Sequence, residues 1–348
     1  MDAPERILVA MSGGVDSAVA AALLLDQGHA CSGVNLRMFS GEEDEDAHAA
    51  ARSLGMPFHV FDFTRAFEEH VIQSFVEGYA RGETPNPCVD CNRFIKFAAL
   101  QARAIQLGYD AIATGHYARR ERDDVNGRWL LRKGADAAKD QSYVLAFLTQ
   151  QQLAYARFPL GELCKSEVRA IAAAKNLCNA QKRESQDICF VPGGDYGAFL
   201  ERRGLALRPG DFVDPEGNVL GRHRGTARYT LGQRKGLGLA LERPGYVCAI
   251  RPEENTVVVG EEALLYTREL WARGLNWIAI DPPEAPLRCK AKARYRQAEQ
   301  WATAERVGED ALRLRFDEPQ RAITPGQTAA LYDGEYVLGA GVIQGTGG

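Results

Sequence analysis

Residues 12–17 read Ser-Gly-Gly-Val-Asp-Ser, directly after the apolar run Ile7-Leu8-Val9-Ala10-Met11. An Ala/Leu-rich stretch, Ala18 to Leu25, follows and stops at Gly28, the pattern of a helix with a glycine C-cap. Strand, glycine turn and helix start in that order make an anion site. Gly13 and Gly14 let the backbone come close, their N–H groups face the loop, and the helix dipole favours negative charge. No Lys-Ser/Thr follows the glycines, so the loop does not grip a terminal phosphate for transfer. Asp16 suits a magnesium ion instead, and Ser12 and Ser17 suit hydroxyl contacts to pyrophosphate. A bare glycine turn would mean little; with strand and helix correctly placed, the reading is a nucleotide loop.

Thiols are the second chemical feature. Pro85-Asn86-Pro87-Cys88-Val89-Asp90-Cys91-Asn92 sets two cysteines three apart, just before a helix expected from near Arg93. A thiol at a helix start is acidified and becomes a better nucleophile. A third candidate, Cys189, lies in Ser185-Gln186-Asp187-Ile188-Cys189-Phe190. There is no second Cys-x-x-Cys, which argues against a closed four-cysteine zinc site. Cys31, Cys164, Cys178, Cys248 and Cys289 sit in apolar or helical surroundings and read as packing residues.

The elements that must carry these groups alternate through the first half. Strand character recurs at Ser32–Phe39, Pro57–Phe63 and Asp110–Thr114, and helical character at Ala47–Leu54, Ala66–Tyr79 and Arg93–Leu107. This predicts an α/β unit with a doubly wound, mostly parallel sheet, in which ligands sit at the C-terminal strand ends. Both the glycine loop and Thr114-Gly115-His116 fall at such ends. The acidic run 42–46 reads as a solvated loop and helix start.

From about Arg202 the periodicity changes to short strands and turns. The expected division is 1–200, a small central domain at 201–267 with exposed loops over Gly221–Leu239, and a C-terminal β-barrel at 268–348. Barrel strands are expected at 288–296, 313–316, 328–332 and 337–342. In the first of these every even position is basic: Arg288, Lys290, Lys292, Arg294, Arg296. Alternate residues share a strand face, so this predicts a single-sign surface for phosphate. Arg222, Arg224, Arg228, Arg234 and Lys235 extend that character.

The net charge of −4 over 348 residues excludes a uniformly basic surface but not a local nucleic-acid patch. Eight cysteines are too few for a disulfide scaffold. No run of about 18 apolar residues and no basic-then-apolar leader is present, so the expectation is a cytoplasmic protein without a membrane partner.

The glycine loop resembles the PP-loop of enzymes that cut ATP between its α- and β-phosphates. Thr84-Pro85-Asn86-Pro87 with Cys91-Asn92, Thr114-Gly115-His116-Tyr117, Lys139-Asp140-Gln141-Ser142, the Cys189 motif, Leu231-Gly232-Gln233-Arg234-Lys235-Gly236-Leu237-Gly238 and Arg294-Tyr295-Arg296-Gln297 complete the pattern. In that order, from residue 6 to about 343, they resemble the tRNA-specific 2-thiouridylases, the MnmA family.

The resemblance implies an ATP site over Ala10, Met11, Ser12, Gly13, Gly14, Val15, Asp16 and Ser17, with Leu36 and Gly115 beside the adenosine. It places the target base at Asn86, Pro87 and Cys88, the nucleophile at Cys91 and the persulfide carrier at Cys189. tRNA contacts fall on His116, Lys139, Asp140, Gln141, Arg294, Tyr295 and Gln327. ATP and magnesium are implied as cofactors. The implied partners are tRNA at its wobble uridine, with Lys, Glu and Gln tRNAs as substrates, and a persulfide donor such as a cysteine desulfurase or sulfur-relay protein. The position of Cys88 is aspartate in some members. Here Cys88, Cys91 and Cys189 could instead ligate a [4Fe–4S] cluster that binds sulfide. Two other classes stay open: a PP-loop pyrophosphatase acting on a small molecule, and an RNA-binding module with a vestigial loop.

Overall fold

The computed structural model of the chain describes residues 3–39, 45–179 and 188–347. The strands of its first half are β1 (Arg6–Ala10), β2 (Ala30–Arg37), β3 (Phe58–Asp62), β4 (Ala111–Ala113), β5 (Ala118–Arg122), β6 (Trp129–Lys133) and β7 (Ala156–Arg157). Five of them form a sheet in the order β3-β2-β1-β4-β7, every neighbouring pair parallel. Its helices are α1 (Val15–Asp26), α2 (Glu45–Ser53), α3 (64–80), α4 (87–106), α5 (Gln150–Tyr155), α6 (Lys165–Ala174) and α7 (Tyr196–Arg202).

Alternation along the strands sorts side chains into two cores. Leu8 and Ile112 join Phe67, Phe75, Ile95 and Leu100 of α3 and α4. Ile7, Val9, Ala111 and Ala113 join Val19, Ala50 and Val168 of α1, α2 and α6. The sheet is therefore covered on both faces, as expected for a doubly wound α/β unit.

Helices α3 and α4 each change winding partway. Glu68–Ile72 in α3 and Cys91–Ala99 in α4 are π-wound, between α-helical ends. Helix α4 also starts at Pro87, not near Arg93. Proline at the first helical position lacks only an N–H that would be unpaired there anyway. Both cysteines of the pair thus lie inside the helix.

The central unit has β8 (Gly210–Val213), β9 (Val219–His223), β10 (Tyr246–Arg251) and β11 (Thr256–Gly260), in the order β10-β11-β8-β9. Its core unites Phe212, Tyr229, Leu237, Val247, Val257 and Val259. Tyr229 and Leu237 come from the segment expected to be exposed loop, so that segment is pinned through its apolar residues.

The third unit contains β12 (Tyr266–Trp277), β13 (Leu287–Lys292), β14 (Gln300–Arg306), β15 (Ala311–Arg321), β16 (Thr328–Asp333) and β17 (Tyr336–Gly345). They run β12-β15-β14-β13-β16-β17, and β12 pairs again with β17 to close a six-stranded barrel. Closure leaves none of these strands with a free edge along its whole length. The β5–β6 hairpin of the first unit reaches across and pairs with β17 at Tyr336↔Arg132. Tyr332, Ala330 and Ile278 then pack into the same core as α3 and α4. Barrel and parallel sheet share an apolar interior, and that fixes the barrel over the strand ends.

Candidate active site and nucleic-acid interface

The glycine loop leaves β1 at Met11, whose N–H donates to Val34 O at 2.8 Å. Gly13 has φ +71°, and a Cβ there would stand 2.8 Å from Asp46 Cβ at the start of α2. Gly14 is extended and borders only Ser12 Oγ, at 3.4 Å. The buried Ser17 hydroxyl donates to Gly14 O at 3.0 Å, and Ser12 N–H donates to Ser17 Oγ at 3.3 Å. Ser17 therefore braces the loop, while Ser12 is exposed and free to meet a phosphate.

Gly115, just past β4, closes the loop from the neighbouring strand. A Cβ there would lie 2.8 Å from both Asp16 C and Ser17 N, so only glycine lets β4 approach the start of α1. Ala10 is half-buried, and Met11, Val15 and Leu36 are buried along the floor. This cradle of open N–H groups at a twelve-residue helix start fits a nucleotide's phosphates.

Asp16 was expected to suit magnesium. Here its carboxylate accepts from Lys165 Nζ at 2.7 and 2.8 Å and from the Tyr117 hydroxyl at 2.7 Å. A magnesium ion at Asp16 would share the carboxylate or compete with that ammonium for it. Asn179 Nδ2 also donates to Gly13 O and Gly14 O, at 3.3 and 3.0 Å. Sequence reasoning missed Lys165 and Asn179, because isolated lysines and asparagines carry no signal in one chain.

The thiols gather at the start of α4. Cys88 is exposed, Cys91 is buried with its thiol directed at Met38 Sδ (3.7 Å), and Cys189 is exposed. The charges of Cys88 and Cys189 both reach Cys91. The expected acidification of Cys91 does not occur. Burial pushes its thiol up to about 12, against the opposing pull of Lys96. Desolvation outweighs the helix dipole because Cys91 sits inside the helix among apolar residues. Cys88 is also raised by its crowded surroundings. Asp90, desolvated between them, is raised to about 6.

Asn86 is half-buried, and buried Pro87 sets the first turn that presents Cys88. Ser185, Gln186 and Asp187 of the third motif, and 42–44 of the acidic run, lie outside the described residues. Among the described residues, no three His, Cys, Asp or Glu side chains gather closely enough to hold a metal ion. Cys88, Cys91 and Cys189 do not form such a group as they stand here, although they neighbour one another. Of the cysteines expected to be packing residues, Cys31 and Cys289 are buried and Cys248 partly so, whereas Cys164 and Cys178 are exposed.

Several residues expected at tRNA are tied within the chain. His116 is buried against Phe97 and Phe158, its Nδ1 2.7 Å from Thr114 Oγ1. Burial and the Lys96 charge hold its pKa well below the usual histidine range. Asp140 accepts from Gly134 N–H and from Ser142, and Gln141 Oε1 accepts from Tyr117 N–H. Lys139 is half-buried beside them. Gln327 Nε2 donates to Thr84 O at 2.6 Å, which ties the barrel to the segment leading into Cys88. Tyr295 is exposed, donates to Asp140 O at 3.2 Å and lies close enough to Cys88 to feel its charge.

The single-sign strand needs correction. Strand β13 ends at Lys292, and 293–299 form a turn. Arg288 pairs bidentately with Asp317, and Lys292 lies 3.9 Å from Glu299. Arg294 turns inward, donating to Leu231 O, Ala322 O and Thr324 Oγ1. What faces outward is Trp301, 49% exposed, with Arg288 and Lys290 over its ring at 4.9 and 5.3 Å. Arg224, Arg234, Lys235 and Arg296 are also exposed.

Three family models cover nearly the whole chain. A tRNA methyl transferase HUP domain matches residues 5–193, a tRNA methyl transferase PRC-barrel domain 197–261, and an aminomethyltransferase β-barrel domain 267–343. The tRNA-specific 2-thiouridylase MnmA of Symbiobacterium thermophilum is 49% identical over 98% of this chain and 92% of that one. The chain belongs to the tRNA-specific 2-thiouridylase family. The MnmA proteins of Carboxydothermus hydrogenoformans and Moorella thermoacetica are also 49% identical, over 98% and 97% of this chain and 98% and 99% of theirs. Similarity thus spans the nucleotide loop, the thiol helix and the barrel together.

Proposed function

We propose that this protein converts the wobble uridine of tRNA, position 34, to 2-thiouridine, with ATP giving AMP and pyrophosphate. The observation that supports the reading is that three parts lie beyond the C-terminal ends of the parallel strands. These are the loop 12–17 closed by Gly115, the thiols of α4 with Cys189, and the barrel turn that brings Tyr295 toward Cys88. A small-molecule pyrophosphatase needs neither the thiols nor the barrel. A binding module needs no glycine cradle.

The chemistry follows from the groups. The C2 oxygen of uridine is a poor leaving group, so it is adenylated first, and pyrophosphate is released into the Gly13–Gly14 cradle. Backbone N–H groups at the start of α1 stabilise the charge that develops there. With sulfur carried on Cys189 as a persulfide, the Cys91 thiolate attacks the Cys189 sulfur. A Cys91–Cys189 disulfide forms and hydrosulfide is expelled. Hydrosulfide attacks C2 and AMP leaves. A thiol reductant then supplies two electrons to reopen the disulfide. The uridine must leave its stack to reach the site, and the barrel and central unit hold the tRNA meanwhile. The donor is a persulfide-bearing protein, and the setting is the cytoplasm; no helix among the described residues is long and apolar enough to cross a membrane.

The test is mass spectrometry of nucleosides from unmodified tRNA incubated with the protein, ATP, magnesium and a persulfide donor. 2-Thiouridine at position 34 with stoichiometric AMP supports the reading; turnover without tRNA overturns it.

A further inference from the structure

We propose that Asn179 is a positioning residue of the nucleotide loop. Its side-chain amide holds the Gly13–Gly14 peptide so that the loop presents N–H groups, and not a carbonyl oxygen, to phosphate. The inference deepens the nucleotide reading of residues 12–17 and rests on it. A planar trans peptide points its C=O and its N–H in opposite directions. Whatever fixes Gly13 O therefore aims Gly14 N–H the other way, and whatever fixes Gly14 O aims Val15 N–H. Neither N–H has a partner among the described residues. Turning a peptide over costs least between two glycines, because no Cβ resists the change, and Gly13 already has φ +71°. Turned over, the unit would place its oxygen where phosphate oxygens belong.

Gly14 O has two tethers besides Asn179, the Ser17 hydroxyl at 3.0 Å and the Ala18 N–H at 3.4 Å. Gly13 O has only Asn179 among the described residues, with Nδ2 at 3.3 Å; the same nitrogen reaches Gly14 O at 3.0 Å. Both amide protons are thus spent on the loop. The reverse orientation would set Oδ1 against two carbonyl oxygens, so the hydrogen bonds themselves fix which end is the donor. The other end of the amide gains nothing. Asn179 is 5% exposed, and its Oδ1 has no hydrogen-bond partner among the described residues. A buried unpaired oxygen opposes stability, so a residue serving packing alone would be apolar here. The route to the loop is fixed by the end of α6. Asn176 is left-handed at φ +52°, Leu177 N–H donates to Ala172 O at 3.0 Å, and Leu177 is buried in the core shared with α1. That C-terminal turn delivers Asn179 to the loop two residues later.

The test is equilibrium binding of ATP, magnesium pyrophosphate and adenosine to the parent protein and to Asn179→Leu, which is close in size and has no donor. In Asn179→Leu, affinity for ATP and pyrophosphate should fall at least about tenfold, the loss of one hydrogen bond to a charged group. Adenosine carries no phosphate, and its affinity should stay within about twofold. The melting temperature should stay within about 4 °C of the parent. That split between phosphate and nucleoside is one a merely structural residue would not produce. Should Asn179→Leu fail to fold, Asn179→Ala deletes the same donor in a smaller side chain. Unchanged pyrophosphate affinity in a folded variant overturns the proposal, and so does an equal loss for pyrophosphate and adenosine. Failure of both variants to fold would make Asn179 a structural residue and overturn it as well. Failure of the nucleotide reading would show separately, as a parent protein that binds neither ATP nor pyrophosphate.

Discussion

Lys165 Nζ lies 2.7 and 2.8 Å from the two carboxylate oxygens of Asp16, although 149 residues separate them in the chain. The contact ties the first turn of α6 to the first turn of α1, and the Tyr117 hydroxyl completes it at 2.7 Å. The Lys165 ammonium so held balances the Asp16 carboxylate at the start of α1.

Asp16→Ala should therefore do two things. Formation of AMP and pyrophosphate should stop, while tRNA affinity stays within about twofold. Stability should fall by about 1–3 kcal/mol, because Lys165 keeps its partly buried charge without its partner. Ion-exchange analysis of the nucleotides, run well below the melting temperature, checks the first. ADP as the main product would contradict the assignment.

Gly14 and Gly115 should fail differently. A Cβ at Gly115 meets the α1 backbone at 2.8 Å, and neither strand nor helix can yield cheaply. Gly115→Ala should cost about 1–3 kcal/mol of stability as well as nucleotide binding. At Gly14 the nearest atom is Ser12 Oγ at 3.4 Å, so Gly14→Ala should fold normally and lose ATP affinity alone. Thermal denaturation beside equilibrium nucleotide binding separates the two.

Much of the first unit was legible because its strands are buried on both faces and its glycine loop sits between two strong periodicities. The β5–β6 hairpin was not, since Ala118–Arg122 is mostly polar and β6 takes its outer partner, β17, from far along the chain. The basic strand misled for a related reason. Alternation revealed which residues share a face, but not that Asp317 and Glu299 would neutralise it, or that the turn at 293 would send Arg294 inward. Cys91 was expected to be acidified, whereas burial raises its thiol, because burial at one helix position is a tertiary property.

Arg294 and Lys290 should accordingly separate structure from binding. Arg294→Met removes donors from three acceptors in the barrel and central unit and should cost about 2–4 kcal/mol. Lys290→Gln, beside exposed Trp301, should leave the melting temperature unchanged. It should flatten the dependence of log tRNA affinity on log salt by up to about 0.9. An unchanged salt slope would remove β13 from the interface.

Alkaline pH should loosen the fold. Burial raises Cys31 to about 11 and Cys289 to about 12, from an ordinary value of 9.0. Above pH 9 the unfolded chain loses these protons and the folded chain keeps them, so stability is full below that pH and falls as pH rises. Each thiol contributes up to about 1.4 kcal/mol per pH unit. Melting temperature followed from pH 8 to 10.5 should drop, and Cys289→Ala should make the drop shallower.

Cys91→Ser and Cys189→Ser should each keep ATP and tRNA binding and stop 2-thiouridine formation. The motive is their proximity: the Cys189 charge is felt at Cys91, yet the two stand unbonded, Cys91 buried and Cys189 exposed. That asymmetry suits a relay, with the exposed thiol loaded from a donor and the buried one kept from premature oxidation. During turnover without reductant, a Cys91–Cys189 disulfide should accumulate and be seen as a cross-linked peptide. Cys88→Ala tests the remaining thiol. Cys88 is exposed and belongs to no metal-holding group among the described residues, so its loss should reduce the rate by less than about tenfold. Loss of all activity in Cys88→Ala, together with an iron-dependent absorbance in the parent enzyme, would replace the relay with cluster chemistry. A fully active Cys189→Ser enzyme would remove the persulfide carrier from the mechanism.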